Sequence, residues 1–230
     1  EGVSFHGHYK SYYENGQLKI EGEYNKNIQI GVWKTYYENG ALHFEYSYAG
    51  GKLNGPSKEY YETGEVKSEL VFKDGKLDSQ KQFRRDGKLT NKMEMQNGKK
   101  YETQLEYYQT SELLRERQLI NQVQEKIERE YYQNGKLKAE RNYINGKREG
   151  SAKGFHRNGN LQGDWTFENG VPIQATIYYS TGEKWLVHPN FKNGSLDGKS
   201  QEYNKQGELI AERIYKDGTL VERRRKTGWF

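Results

Sequence analysis

The chain has 230 residues, 32% hydrophobic and 30% charged, with 37 basic against 32 acidic side chains for a net charge of +5. Both signs are interleaved along most of its length, which reads as a solvated surface and disfavours nucleic acid as a partner. Cysteine is absent, which excludes disulfides, thiolate metal sites and thiol nucleophiles.

A mean hydropathy of −1.20 leans towards disorder. Against that, 20 Tyr and 26 Gly with only 3 Pro do not fit a disordered polar tract. Aromatic bodies joined by regular turns point instead to many short strands around a thin core. No apolar run reaches the roughly 20 residues of a membrane-spanning helix, and no signal-peptide core is present. Glu1 comes first, and Gly7 stands where Gly31, Gly55 and Gly150 stand in later copies. Residues 1–11 therefore read as the tail of a truncated repeat, and a longer parent chain is expected.

The repeat is carried by a pentapeptide, first met as Tyr12-Tyr13-Glu14-Asn15-Gly16. Copies of varying fidelity start at Tyr36, Tyr60, Phe83, Tyr107, Tyr131, Phe155, Tyr178 and Tyr203. The steps are 24, 24, 23, 24, 24, 24, 23 and 25 residues, a period that signals one repeat array over residues 1–230. Glu14-Asn15-Gly16, Arg85-Asp86-Gly87 and Gln133-Asn134-Gly135 suit a three-residue hairpin loop ending on a left-handed glycine. A second turn follows at Gly51, Gly75, Gly98, Gly146, Gly170, Gly194 and Gly218. Two turns per copy leave two short strands, so each copy is a β-hairpin.

A three-residue loop sets Tyr12 opposite Leu18, and a strict period of two then puts Ile20 and Tyr24 on the same face. That face is apolar in every copy and is expected to be the packed one. The second pentapeptide residue is Tyr13, Tyr37, Tyr61, Tyr108, Tyr132 and Tyr179, but Arg84, His156 and Asn204 elsewhere. Such tolerance suits a solvated face, shared with a recurring acid at Glu21, Glu45, Glu69, Glu116, Glu140, Asp164 and Glu212. Those acids read as cross-strand partners for lysines.

Two copies depart from the pattern. The fifth has Ser111 and Gln122 at the two turn glycines, and residues 112–130 also fit an amphipathic helix through Leu113, Ile120, Val123 and Ile127. A degenerate hairpin is favoured because the 24-residue step is kept. The eighth copy carries one extra residue around Pro189, for a β-bulge to absorb.

The pentapeptide with its Leu-Lys-x-Glu sequel, as in Leu18-Lys19-Ile20-Glu21 and Leu137-Lys138-Ala139-Glu140, resembles the membrane occupation and recognition nexus (MORN) repeat in its bacterial variant form. So does the link Gly31-Val32-Trp33-Lys34-Thr35-Tyr36-Tyr37, although Trp33 becomes Ser57 or Ala152 in other copies. The resemblance implies an all-β, elongated array of hairpins forming a single twisted antiparallel sheet. It implies an interaction scaffold too, of the kind found among antitoxin or immunity proteins and among exported proteins that meet a host. About eighteen strands at ~4.8 Å each would extend roughly 85 Å.

No catalytic constellation is recognisable, and no enzyme activity, cofactor or metal is expected. His6 and His8 sit two apart, as on one strand face, but no third ligand accompanies them. Gly50-Gly51-Lys52 is too short for a phosphate loop. The binding candidates are the aromatic ladder Tyr13, Tyr37, Tyr61, Tyr108, Tyr132 and Tyr179, with Trp33 beside it, since Tyr and Trp bury large area at low entropy cost. Their alternative use is to cover the sheet for neighbouring strands. A basic run, Arg223-Arg224-Arg225-Lys226, precedes Trp229-Phe230; it suits acidic lipid headgroups or nucleic acid, or it guards a strand edge. The expected partner is another protein, either a toxin domain or a host protein, with a glycan or anionic-lipid surface as the alternative. An exported or cell-surface bacterial setting is favoured over the cytoplasm.

Overall fold

The computed structural model describes residues 4–226. It divides into two compact units, Glu1–Gln104 and Leu105–Phe230, and each is an all-β array of hairpins. In the first unit Gly7–Tyr12, Leu18–Asn25, Ile28–Tyr36 and Leu42–Ala49 succeed one another as antiparallel neighbours. The next strand is interrupted at Asn54, giving Lys52–Leu53 and Gly55–Tyr60. Val66–Lys73, Lys76–Phe83, Leu89–Gln96 and the start of Lys99–Tyr107 continue the order.

The second unit runs from Leu113–Ile120 through Val123–Gln124 with Lys126–Tyr131, then Leu137–Ile144, Lys147–Phe155, Leu161–Glu168 and Val171–Tyr178. Lys184–His188, Gly198–Tyr203, Leu209–Lys216 and Thr219–Arg225 follow. Each of these pairings is antiparallel and follows the order of the chain.

The hairpin loops have the expected geometry. The Tyr13 amide donates to the Gln17 carbonyl at 2.8 Å, and the Gly16 amide closes back on Tyr13 at 3.0 Å. Gly16 has φ +85°, which a side chain would strain. Tyr12 lies opposite Leu18 as the loop length requires, and Tyr36–Leu42, Tyr60–Val66, Phe83–Leu89, Tyr131–Leu137 and Tyr203–Leu209 repeat the pairing.

One residue further on, the alternation breaks. Ser11 pairs with Ile20, which leaves Lys19 as the extra residue of a β-bulge. The same slip recurs at Thr35/Tyr36, Glu59/Tyr60, Glu130/Tyr131 and Glu202/Tyr203. Because a bulge inserts one residue into the period of two, Tyr12 and Leu18 share one face, while Tyr13, Ile20 and Tyr24 share the other. The expected grouping of Tyr12 with Ile20 and Tyr24 is thus corrected.

The buried seam lies on the face of Ile20 and is lined largely by small residues. In the first unit Trp33 and Ser57 share one position of the repeat and Ser68 holds another; in the second unit Glu128, Ala152, Ala175 and Ser200 share the first and Ala139, Leu186 and Ala211 the other. A single antiparallel sheet has no second layer to cover it, so these positions close by strand-to-strand contact alone. Repeat arrays gain most of their stability from such neighbour stacking.

The fifth copy is a hairpin and not a helix. Ser111 and Gln122 take φ of 76° and 69°, the left-handed values that glycine supplies elsewhere, and Asn121 takes 51°, as Asn145 and Asn169 do in their copies. In the eighth copy the extra residue does more than make a bulge, which corrects that expectation. Lys184–His188 stops before Pro189, and the tip forms a separate two-stranded ribbon, Phe191–Lys192 with Ser195–Leu196. Proline has no amide hydrogen to continue the ladder.

Candidate functional site

The tyrosine ladder proves to be a set of ties between copies. Tyr13 donates its hydroxyl to the Tyr36 carbonyl at 2.6 Å, Tyr37 to Tyr60 at 2.8 Å and Tyr61 to Phe83 at 2.8 Å. In the second unit Tyr108 reaches Tyr131 at 2.8 Å, Tyr132 reaches Phe155 at 2.7 Å and Tyr179 reaches Tyr203 at 2.9 Å. Where histidine replaces tyrosine, His156 Nε2 lies 3.3 Å from the Tyr178 carbonyl. The rings are half-buried, so the expected solvated position gives way to a clipped one.

The bulge supplies four of the six rings with a cover. Lys19 lies over Tyr13 at 5.2 Å, His43 against Tyr37 at 4.1 Å, Lys67 over Tyr61 at 6.0 Å and Trp185 against Tyr179 at 5.7 Å. These are the extra residues of the bulges, re-aimed from the strand period onto the tyrosine. Burial holds the Tyr37 phenol above its ordinary range.

Trp33 is also structural. Its ring lies across Gly22, where a Cβ would come within 2.1 Å of it, and Tyr9, Tyr24 and Tyr48 pack around it at 5.8, 4.9 and 6.2 Å. At 4% exposure it has no surface left for a partner, which corrects its place among the contact candidates.

On the opposite face the recurring acids pair across strands, Lys10 with Glu21 at 3.8 Å, Lys81 with Glu69 at 3.6 Å and Arg129 with Glu140 at 2.9 Å. Tyr36 donates to Glu21 at 2.6 Å. Burial and then that carboxylate push its phenol up to about 12.

The basic run divides three ways. Arg223 binds Glu202 through Nε at 2.7 Å and Nη2 at 3.1 Å, Arg224 binds its strand neighbour Glu222 at 2.6 and 2.9 Å, and Arg225 is exposed in register with Ala211. Arg213 also binds Glu202, at 2.8 Å. The two guanidiniums, Arg223 first, hold the Glu202 carboxyl at about 2. Trp229 and Phe230 lie outside the described residues.

Sequence reasoning missed a depression on the Ile20-type face of the second unit. Its floor is Ala139, Ala152 and Gly154, its wall is Trp165 and Phe167, and its volume is about 310 Å³. Trp165 leans over Gly163, where a Cβ would lie 2.2 Å from the ring. Unlike Trp33 it stays half-exposed. Arg148 lies over the Phe167 ring at 5.3 Å. The available signal was Trp165 itself, since its slot reads Gly22, Tyr46, Leu70, Met93, Arg117, Arg141, His188 and Arg213 in the other copies.

Among the described residues no three His, Asp or Glu side chains gather as a metal site. His188 is buried, with Nδ1 2.7 Å from Ser200 Oγ and its ring 5.7 Å from Tyr215. Burial and then Arg213 hold its imidazole below the ordinary value.

A regular succession of hairpins, clipped copy to copy, defines a β-hairpin repeat scaffold. Residues 5–26, 29–49, 53–74, 124–145 and 148–169 match the family model described as MORN repeat variant, and the chain is a MORN repeat protein. No curated protein matches it. Among solved structures it is similar to the crystal structure of TcdB2-TccC3 without the hypervariable C-terminal region, with 10% identity and a TM-score of 0.28. That match covers 91% of this chain and 13% of the other. The crystal structure of TcdB2-TccC3-TEV matches at 13% identity and a TM-score of 0.22, over 94% of this chain and 12% of that one. This chain thus spans a small fraction of the length of either.

Proposed function

We propose that this protein is a non-enzymatic scaffold that binds another protein through the positions that differ between its copies. The observation behind this reading is the division of labour among side chains. The recurring tyrosines spend their hydroxyls on the next copy's backbone, so what the repeat spells most constantly is architecture. The slot holding Trp165 varies among the copies, with arginine recurring at Arg117, Arg141 and Arg213, and at Trp165 it opens onto a surface depression. Half-buried aromatics on a rigid sheet make good contact anchors, because little side-chain freedom is lost on binding.

An antitoxin-like role against a toxin domain and an exported role against a host protein are both forms of this function. A photoreactive phenylalanine analogue placed at Trp165, and separately at the turn residue Asp86, tests the reading. Covalent capture of one defined protein from position 165 and none from 86 supports it. Retention on a glycan array or on phosphatidylserine vesicles, with no protein captured, favours the glycan or lipid alternative.

A further inference from the structure

We infer that the Trp165 depression is a binding site for an acidic segment of a partner protein, taking a carboxylate beside an apolar side chain. This deepens the protein-binding reading and rests on it. The charge balance of the site carries the inference. Four basic residues line the depression, Lys138, Arg141, Arg148 and Lys153. Lys138 is bound to Glu130 at 2.6 Å, and Arg141 to Glu128 at 3.0 Å and to Glu130 at 3.2 Å. Glu128 and Glu130 thus answer two of the four charges. Arg148 has no carboxylate partner among the described residues; its guanidinium rests only on the Phe167 ring.

The apolar half of the site is equally open. Among the described residues the Trp165 indole N–H makes no hydrogen bond and no aromatic ring packs on Trp165, although three pack on Trp33. Small residues at Ala139, Ala152 and Gly154 leave the space in front of it. A volume of about 310 Å³ is at the low end for ligand sites, which suits one or two side chains of a peptide. An arginine that already lies on an aromatic face, lining the same depression as an unpaired indole N–H, supplies donors for a carboxylate with little reorganisation. The ring surfaces of Trp165 and Phe167 then take the neighbouring apolar group.

A fluorescein-labelled glutamate-rich peptide bearing one phenylalanine, titrated into the full chain and followed by anisotropy, tests this. Controls replace every glutamate by glutamine or the phenylalanine by serine. Binding is expected for the parent peptide, weaker binding for both controls, and a decline as salt is raised. Arg148→Gln should weaken binding roughly tenfold, while Arg148→Lys keeps part of it. Lys192→Gln, which removes the same charge at an exposed hairpin tip, should leave it unchanged. Circular dichroism confirms that each variant is folded.

Equal weakening by Arg148→Gln and Lys192→Gln would overturn the site, since the attraction would then be non-specific. No peptide binding, with a protein still cross-linked from position 165, would overturn the acidic-segment assignment and leave the scaffold reading standing. Binding to phosphatidylserine vesicles in place of both peptide and protein would overturn the two together.

Discussion

The hydroxyl of Tyr132 donates a 2.7 Å hydrogen bond to the backbone carbonyl of Phe155, one copy further along the chain. This bond changes what the recurring tyrosine is for. Removing it by Tyr132→Phe keeps the ring and leaves a half-buried carbonyl without its donor, at a cost of about 1 kcal/mol. Tyr37→Phe should cost the same through the Tyr60 carbonyl. Replacing Tyr37, Tyr61 and Tyr132 together by Ala removes rings as well as clips and should destabilise both units. Urea denaturation followed by circular dichroism reads each loss.

The fifth copy holds strain that glycine would relieve. Ser111 at φ 76° and Gln122 at φ 69° occupy the left-handed region, which costs L-residues roughly 1–2 kcal/mol. Part of the gain on substitution is offset by the freer unfolded chain. Ser111→Gly and Gln122→Gly should each stabilise the protein, by about 0.5–1 kcal/mol, in the same denaturation assay.

The two aromatic-over-glycine contacts should respond differently to a methyl group. At Gly22 the added Cβ meets the ring of Trp33, which Tyr9, Tyr24 and Tyr48 hold in place. Gly22→Ala should therefore cost about 1–3 kcal/mol by overpacking. At Gly163 the ring that must move is the half-exposed Trp165. Gly163→Ala should swing that ring outward, seen as a change in tryptophan fluorescence, with a smaller loss of stability.

Acid should weaken the protein in two windows. His188 has its pKa lowered in the folded state from 6.5, so its contribution is present above 6.5 and is lost as pH falls through the folded value. Glu202 is lowered from 4.5 to about 2, so its contribution is complete above 4.5 and drains away as pH falls towards 2. Thermal midpoints measured against pH should fall in both ranges. Glu202→Gln should be less stable at neutral pH by about 2 kcal/mol and should show a smaller lower step, since Glu102 and Glu130 are lowered too, while keeping the upper one.

Much of the fold was legible because glycine at a left-handed turn and an aromatic before it recur at a fixed step. Those residues specify the loop, and the loop specifies the pairing of Tyr12 with Leu18. The bulge at Lys19 was not legible. Aromatic and aliphatic residues stand on both sides of it, so the apolar pattern reads equally well without the extra residue. That one slip moved Tyr13 onto the face of Ile20 and Tyr24 and turned an expected contact ladder into a set of clips. The tie itself joins a side chain to a backbone carbonyl, and a carbonyl leaves no letter in the sequence. Trp33 and Trp165 look alike as letters; the rings around one and the cations beside the other separate them.

Residues that build the array are thus distinct from residues that bind, and one paired measurement tests that division most directly. Stability in urea and affinity for the acidic peptide are measured on Tyr179→Phe and on Arg148→Gln. The expected result is opposite losses: Tyr179→Phe loses about 1 kcal/mol of stability with unchanged affinity, and Arg148→Gln loses roughly tenfold in affinity with stability held within about 1 kcal/mol. Affinity lost in Tyr179→Phe and retained in Arg148→Gln would contradict it.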